Sequence, residues 1–223
     1  MDMSTFLVSS VHDMKNSICV MTAYLEAALA DLPADAPSRN MTYQAAYEAQ
    51  RINHHLIQLL ALYKINQDIY PLDPVEVELA SFADEVVSRV APLASARGIS
   101  LSVHLDDNEH NWYFDYELLA SLVTQALHNA VKYTRDRVQL SLLLIDEQLE
   151  IRVADNGEGF PPFMIDSERP TLHGIDSHSG STGLGLHFAA KAAHLHRNRT
   201  RHGTTRLENG GALGGGMFVI TLP

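Results

Sequence analysis

Four groups of side chains in this 223-residue sequence are spaced as reacting or ligand-holding residues would be. In "HDMKN", His12 and Asn16 fall one helical turn apart on a shared face, with Asp13 beside them. A neutral imidazole nitrogen can attack a phosphoryl group at pH 7, and a neighbouring carboxylate orients the ring and accepts its other proton. An exposed helical histidine is inert in most proteins, so the trio acquires chemistry only if the chain also holds a phosphoryl donor. A metal is a poor fit, because no second imidazole or thiol stands at ligand spacing. In "LVTQALHNAVKYT", Gln125, Asn129, Lys132 and Tyr133 follow i, i+4, i+7, i+8 and share one face, leaving Leu118, Leu122, Ala126 and Ala130 for the core. That stripe is open to a ligand, and taken alone it is equally an ordinary solvated face. In "VADNGEGF", a strand ending at Asp155 enters a turn with Gly157 and Gly159, where backbone can approach a ligand and a carboxylate can accept from an exocyclic amine. Finally, "GSTGLGLHFAAKAAHL" places Gly180, Gly183 and Gly185 directly before a helix, an arrangement that aims backbone N–H groups at phosphate.

The elements that must carry these groups follow from periodicity. From Ser4 to Leu32 apolar residues recur every seven positions, with Val11, Ile18, Leu25 and Leu32 in one column and Leu7, Met14, Met21 and Ala28 in the other. The proline-bearing "DLPADAPSRN" turns the chain into a second helix, about Asn40 to Asp68, with Ile52, Leu56, Leu59, Leu60 and Tyr63 as its stripe. One hairpin covers such stripes poorly, so two are expected to pair as a homodimeric four-helix bundle. "YPLDPVEVEL" reads as a linker, placing a boundary between residues 1–70 and 71–223. Beyond it the pattern predicts helices at about 80–97, 116–133 and 184–196, and strands at about 100–105, 137–145 and 148–154, with closing strands to Pro223. The short turn in "LLLIDEQLEIRV" implies antiparallel pairing, and the whole an α+β layer with helices on one face. "ENGGALGGG" reads as a flexible turn.

Composition narrows the partners. The 16 basic and 27 acidic residues give a net charge of −11, which argues against nucleic acid and anionic membranes. Cys19 is the single cysteine, no signal peptide is apparent, and no stretch approaches the roughly 20 apolar residues of a membrane helix, so a cytoplasmic location is expected.

In order and spacing, "HNAVKYT", "DNGEGF", "STGLGL" and "GGMFVITLP" resemble the N, G1 and G2 boxes and closing strand of the histidine-kinase ATPase domain, the GHKL or Bergerat fold shared with gyrase and Hsp90-type ATPases. "HDMKNS" resembles the H box of the dimerisation and phosphotransfer domain that precedes it in two-component sensor kinases. The resemblance implies a helical hairpin for residues 1–70, dimerising into a four-helix bundle, and an ATP-binding α/β sandwich with a mixed sheet for residues 71–223. It implies that ATP with Mg²⁺ phosphorylates His12, which passes the phosphoryl group to an aspartate of a separate response-regulator receiver domain. Asp13 would assist His12, and Asn16 would place a water that dephosphorylates the regulator. Asn129 would hold Mg²⁺, Lys132 would meet phosphate, Tyr133 would line the pocket and Asp155 would bind the adenine amine. Gly157, Gly159, Thr182, Gly183, Leu184 and Gly185 would shape the nucleotide loops, and residues 160–182 would form the ATP lid. Where related hydrolases carry a Glu that activates water, this chain has Gln125, which cannot be a base, so slow ATP hydrolysis is expected. Ser181 replaces the usual first glycine, and no F box is recognisable in the lid. Two rival readings are a non-catalytic phosphotransfer adaptor and a kinase-like regulator that acts by forming mixed dimers.

Overall fold

The seven-residue rhythm at the start of the chain is realised as α1 (Met3–Asp31), followed by α2 (Pro37–Asn66) with proline at its first turn, where its missing N–H costs nothing. The computed structural model describes residues 3–33, 36–106, 110–165 and 184–223, with backbone alone at residues 3–9 and 12. It divides into two compact units, Met1–Tyr70 and Pro71–Pro223. In the first, Arg39 from the opening turn of α2 donates to the carbonyls of Leu29 (3.0 Å) and Leu32 (2.5 Å), partnering carbonyls that the end of α1 leaves without helical donors. Gln50 donates to Glu26 at 2.9 Å across the hairpin.

Two helices cover only part of each other. Val11, Ile18, Leu25 and Leu32 are half-buried, whereas Met14 and Met21 of the second column remain 54% and 44% exposed. On α2 the small Ala46 and Ala49 are buried, while Ile52 and Leu59 of the expected stripe are exposed. The tightest burial on α2 thus falls on Ala49 and Gln58, residues that a hydrophobicity stripe underweights.

The second unit is an open sheet under helices. Its elements run β1 (Pro74–Glu78), α3 (Leu79–Ala96), β2 (Ser100–Leu105), β3 (Asn111–Asp115), α4 (Tyr116–Tyr133), β4 (Arg137–Ile145), β5 (Gln148–Asp155), α5 (Pro162–Ile165), α6 (Leu184–Leu195), β6 (Arg197–Asn198), β7 (Arg201–His202), β8 (Thr204–Asn209) and β9 (Gly216–Leu222). The five-stranded sheet has the order β2-β4-β5-β9-β8. The β4–β5, β5–β9 and β8–β9 pairs are antiparallel, whereas β2 lies parallel to β4, so the sheet is mixed. Parallel pairing needs a crossover, and β3 with α4 supplies it. Residues 74–78, expected as linker, form β1 instead, paired antiparallel with β3 so that Val77 is buried opposite Trp112.

Alternation along the strands separates two faces. Leu149, Ile151 and Val153 stand opposite Leu222, Ile220 and Phe218, and with Leu140 and Leu142 they form the buried side. The other side is polar: Glu150 accepts from Arg152 at 2.5 Å and pairs with Arg206 at 3.0 Å. Phe82 of α3 and Phe114 of β3 meet edge-to-face at 5.1 Å within the core.

One buried polar junction fixes the start of α4. The Asp115 carboxylate caps the helix by accepting from Leu118 N–H at 3.0 Å and also accepts from Asp73 N–H at 3.2 Å. The backbone N–H of Asp115 donates to His196 Nε2 at 3.0 Å, while His196 Nδ1 faces Ala192 O at 2.9 Å. Those partners require the neutral ring with its proton on Nδ1, and burial holds the His196 pKa below its ordinary 6.5. The unfolded chain therefore takes up the proton more readily. His196 contributes its full stability above about pH 6.5, and the contribution is lost as pH falls through the lowered folded value. Melting temperature is expected to drop more steeply between pH 7.5 and about 5.5 in the wild type than in His196→Gln. Parallel pH profiles would show that the ring does not titrate on unfolding.

Candidate functional site

The polar stripe of α4 and the turn after β5 meet at one edge of the second unit. Asn129, Lys132 and Tyr133 occupy the last turns of α4 and are exposed. Gln125 Nε2 lies 3.4 Å from Asn129 Oδ1, and Lys132 Nζ stands 4.9 Å from the centroid of the Tyr133 ring. Leu118, Leu122 and Ala130 on the opposite side are buried and Ala126 is half-buried, as the periodicity requires.

Asp155 closes β5 with 7% of its surface exposed. Its Oδ1 accepts from Gly157 N–H at 2.7 Å and from Gly216 N–H at 3.3 Å, and its carbonyl accepts from Gly215 N–H at 3.1 Å. Among the described residues nothing donates to Oδ2. One oxygen is thus anchored by backbone while the other stays available to an N–H donor, the pattern needed to read an exocyclic amine. Asn156 bolts this turn to the segment after α4: its Oδ1 accepts from Arg137 N–H at 3.0 Å and Asp136 N–H at 3.2 Å, and its Nδ2 donates to Asp136 at 2.7 Å. A Cβ on Gly157 would press into the Tyr133 carbonyl, so the two candidate segments touch through backbone.

Leu184 and Gly185 begin α6 and are half-buried, and among the described residues a Cβ at Gly185 would meet nothing within 4 Å. Thr182, Gly183 and Gly180 lie outside the described residues, as does the expected lid apart from the part that includes α5.

The segment expected as a flexible turn is tied into this site. Asn209 Oδ1 accepts from Phe160 N–H at 2.7 Å while its Nδ2 donates to Phe160 O at 2.8 Å, a two-bond bracket on the chain just after Gly159. The bracket needs close contact with Gly159, whose φ of +82° is open to glycine. Sequence reasoning missed Asn209, Gly215 and Gly216. Asn followed by two glycines signals a turn, but nothing local shows that the turn grips residues 49 positions away. Asn209→Ala removes both bonds, each worth about 1 kcal/mol net. ATP is expected to bind about tenfold more weakly; an unchanged dissociation constant by calorimetry would show that the loop holds its shape without the bracket.

In the first unit, His12 lies within α1, and its side chain is outside the described residues. Asp13 and Asn16 are exposed on the same helix. A groove of about 500 Å³ opens beside Asp13, between Met14 and Ile18 of α1 and Ile52 and Leu56 of α2.

Residues 114–223 match the family described as histidine kinase-, DNA gyrase B-, and HSP90-like ATPase. That segment, which includes α4, β5 and α6, belongs to this ATPase family. The chain is 26% identical to the sensor histidine kinase RppB of Synechocystis sp. over 98% of its own length and 48% of the relative's. It is 30% identical to the sensor histidine kinase CpxA of Escherichia coli K12 over 79% of its length and 38% of that protein's. The chain thus spans less than half the length of either relative. A solved structure of full-length ShkA in complex with AMPPNP shares the fold, with a TM-score of 0.67, 20% identity, and coverage of 98% of this chain and 45% of that one. Together these likenesses support a two-component histidine kinase catalytic core.

Proposed function

We propose that this chain binds ATP with Mg²⁺ in its second unit, transfers the γ-phosphoryl group to His12, and passes it to an aspartate of a separate receiver domain. The observation that carries the reading is the buried Asp155 carboxylate, with Oδ1 held by Gly157 and Gly216 N–H and Oδ2 receiving no donor among the described residues, beside the exposed polar end of α4. Adenine offers that oxygen an amine, whereas guanine presents a carbonyl in the corresponding place. AMPPNP is bound by ShkA, whose fold this chain shares.

Each remaining residue has a chemical part in this reading. Lys132 supplies positive charge toward phosphate, and Tyr133 and the Gly157–Gly159 turn line the base. Among the described residues no cluster of three His, Cys, Asp or Glu is placed to hold a metal. Mg²⁺ binds well through one protein oxygen together with substrate phosphates and water, and Asn129 Oδ1 is that oxygen. The start of α6 at Leu184 and Gly185, with Thr182 and Gly183 preceding it in sequence, would supply N–H groups to phosphate. The lone pair of His12 attacks the γ-phosphorus as the bond to the β,γ-bridging oxygen breaks, and Asp13 accepts the other ring proton. Asn16 places water for dephosphorylating the receiver. Met14, Met21, Ile52 and Leu59, exposed on the hairpin, support closure by a second copy into a four-helix bundle.

Titration calorimetry tests the nucleotide site. ATP is expected to bind in a Mg²⁺-dependent way, with GTP much weaker. Asp155→Asn is expected to lose about 1–3 kcal/mol of ATP affinity. Equal binding of the two nucleotides, or full affinity in the variant, would contradict the assignment of Asp155.

A further inference from the structure

Residues 191–206 hold five of the chain's 16 basic residues and none of its 27 acidic ones. The rest of the molecule therefore carries 11 basic against 27 acidic residues, a net charge of −16. The structure concentrates this local excess at one projection. After α6 the chain forms a two-stranded hairpin, β6 against β7, which is separate from the five-stranded sheet and pairs Arg197 with His202 and Asn198 with Arg201. Every residue from Arg197 to His202 is exposed, as are Lys191 and His194 on α6.

Three features separate this hairpin from an ordinary solvated surface. First, Lys191, Arg197, Arg199 and Arg201 form no ion pair among the described residues, although Arg206, just beyond, is paired with both Glu150 and Glu208. Second, the left-handed turn position, φ 55°, is held by Arg199, where glycine or asparagine would be easier, so the turn keeps a charge at its tip at a conformational cost. Third, His194 stacks on His202 with centroids 4.2 Å apart and an interplanar angle of 11°, and His202 Nδ1 lies 3.0 Å from His194 O. Burial, followed by repulsion from His202 and Lys191, holds the His194 pKa below its ordinary value. The stacked pair fastens the hairpin to the helix and gives the guanidinium groups a rigid base.

We infer that the β6–β7 hairpin, with Lys191 at its foot, is a docking element for a carboxylate-rich face of a partner protein. Arginine forks engage carboxylates in pairs, and three of the four unpaired cations are arginines. A nucleic acid duplex or an anionic bilayer presents charge over tens of ångströms and would meet the acidic remainder of the chain. A compact acidic patch need face only the hairpin, because screening confines these fields to about 8 Å at physiological salt. The inference uses none of the nucleotide-site residues and stands or falls separately from the kinase reading.

The test uses the whole chain and its Arg197→Gln/Arg199→Gln/Arg201→Gln variant, with a short polyglutamate peptide, a short DNA duplex and phosphatidylglycerol vesicles as probes at low salt. The peptide is expected to bind the wild type and shift the His194 and His202 ring resonances. Its affinity should fall roughly tenfold in the Gln variant, consistent with several exposed ion pairs acting together. The corresponding Lys variant is expected to recover much of the binding, which separates loss of charge from loss of fold. Equal peptide binding by wild type and Gln variant, or no binding to either, would overturn the inference. So would arginine-dependent binding of the duplex or vesicles that is tighter than that of the peptide.

Discussion

Asn129→Asp is expected to stop phosphoryl transfer while leaving the fold intact. Asn129 is exposed on the last turns of α4, so its replacement disturbs no packing and melting should barely change. On the proposed reading the new carboxylate has a large electrostatic effect, because it would add negative charge beside the polyphosphate and alter the ligand set offered to the cation. Losing one contact that stabilises transferring charge commonly costs about 10²–10³ in rate, and here a repulsion is added. The measurement is the initial rate of label incorporation from γ-labelled ATP at matched protein concentration. A rate within a few-fold of wild type would remove Asn129 from the cation site.

Gly157→Val is expected to eliminate nucleotide binding by a different route. A Cβ at this position would be driven into the Tyr133 carbonyl and lie 2.9 Å from Asp155 Oδ1. Neither side yields easily: Tyr133 ends α4, and Asn156 ties the same turn to Asp136 and Arg137. The turn must move, breaking the 2.7 Å bond that holds Oδ1. ATP affinity should fall by about 100-fold or more, with a lower melting temperature. Gly185→Ala provides the contrast, because among the described residues its added methyl group meets nothing within 4 Å. It should fold normally, so any loss of affinity there reports on the ligand. Wild-type ATP binding by Gly157→Val would show that the turn is not part of the base site.

Helix α4 was legible because its periodicity is regular, and the structure adds a cap that agrees with it. Asp115 precedes it, a strict apolar side runs along it, and its polar side ends at Lys132 and Tyr133. Likewise β2 and β4 were bounded correctly, since each is an apolar-rich run flanked by turn residues. β1 and β3 were not, because each is only five residues long and stabilised by a partner far along the chain. The parallel β2–β4 pairing was also hidden, as local turns reveal only antiparallel neighbours. Asp155 and Gly157 could be read as a site because both lie in one short turn. Asn209 and Gly216 could not, since their work is done on Phe160 and Asp155, which arrive from another strand. On the hairpin, the seven-residue rhythm identified both apolar columns, but not which of them the single chain would cover.

The account's central claim is that His12 receives phosphate from ATP bound in the second unit. Its most direct measurement is to incubate the chain with γ-labelled ATP and Mg²⁺ and locate the modified residue by mass spectrometry under conditions that preserve phosphohistidine. The account predicts acid-labile, base-stable label on His12, complete loss of that label in His12→Ala, and an unchanged ATP dissociation constant in the same variant. Acid-labile label of wild-type intensity in His12→Ala, or label on a residue other than His12, would contradict it.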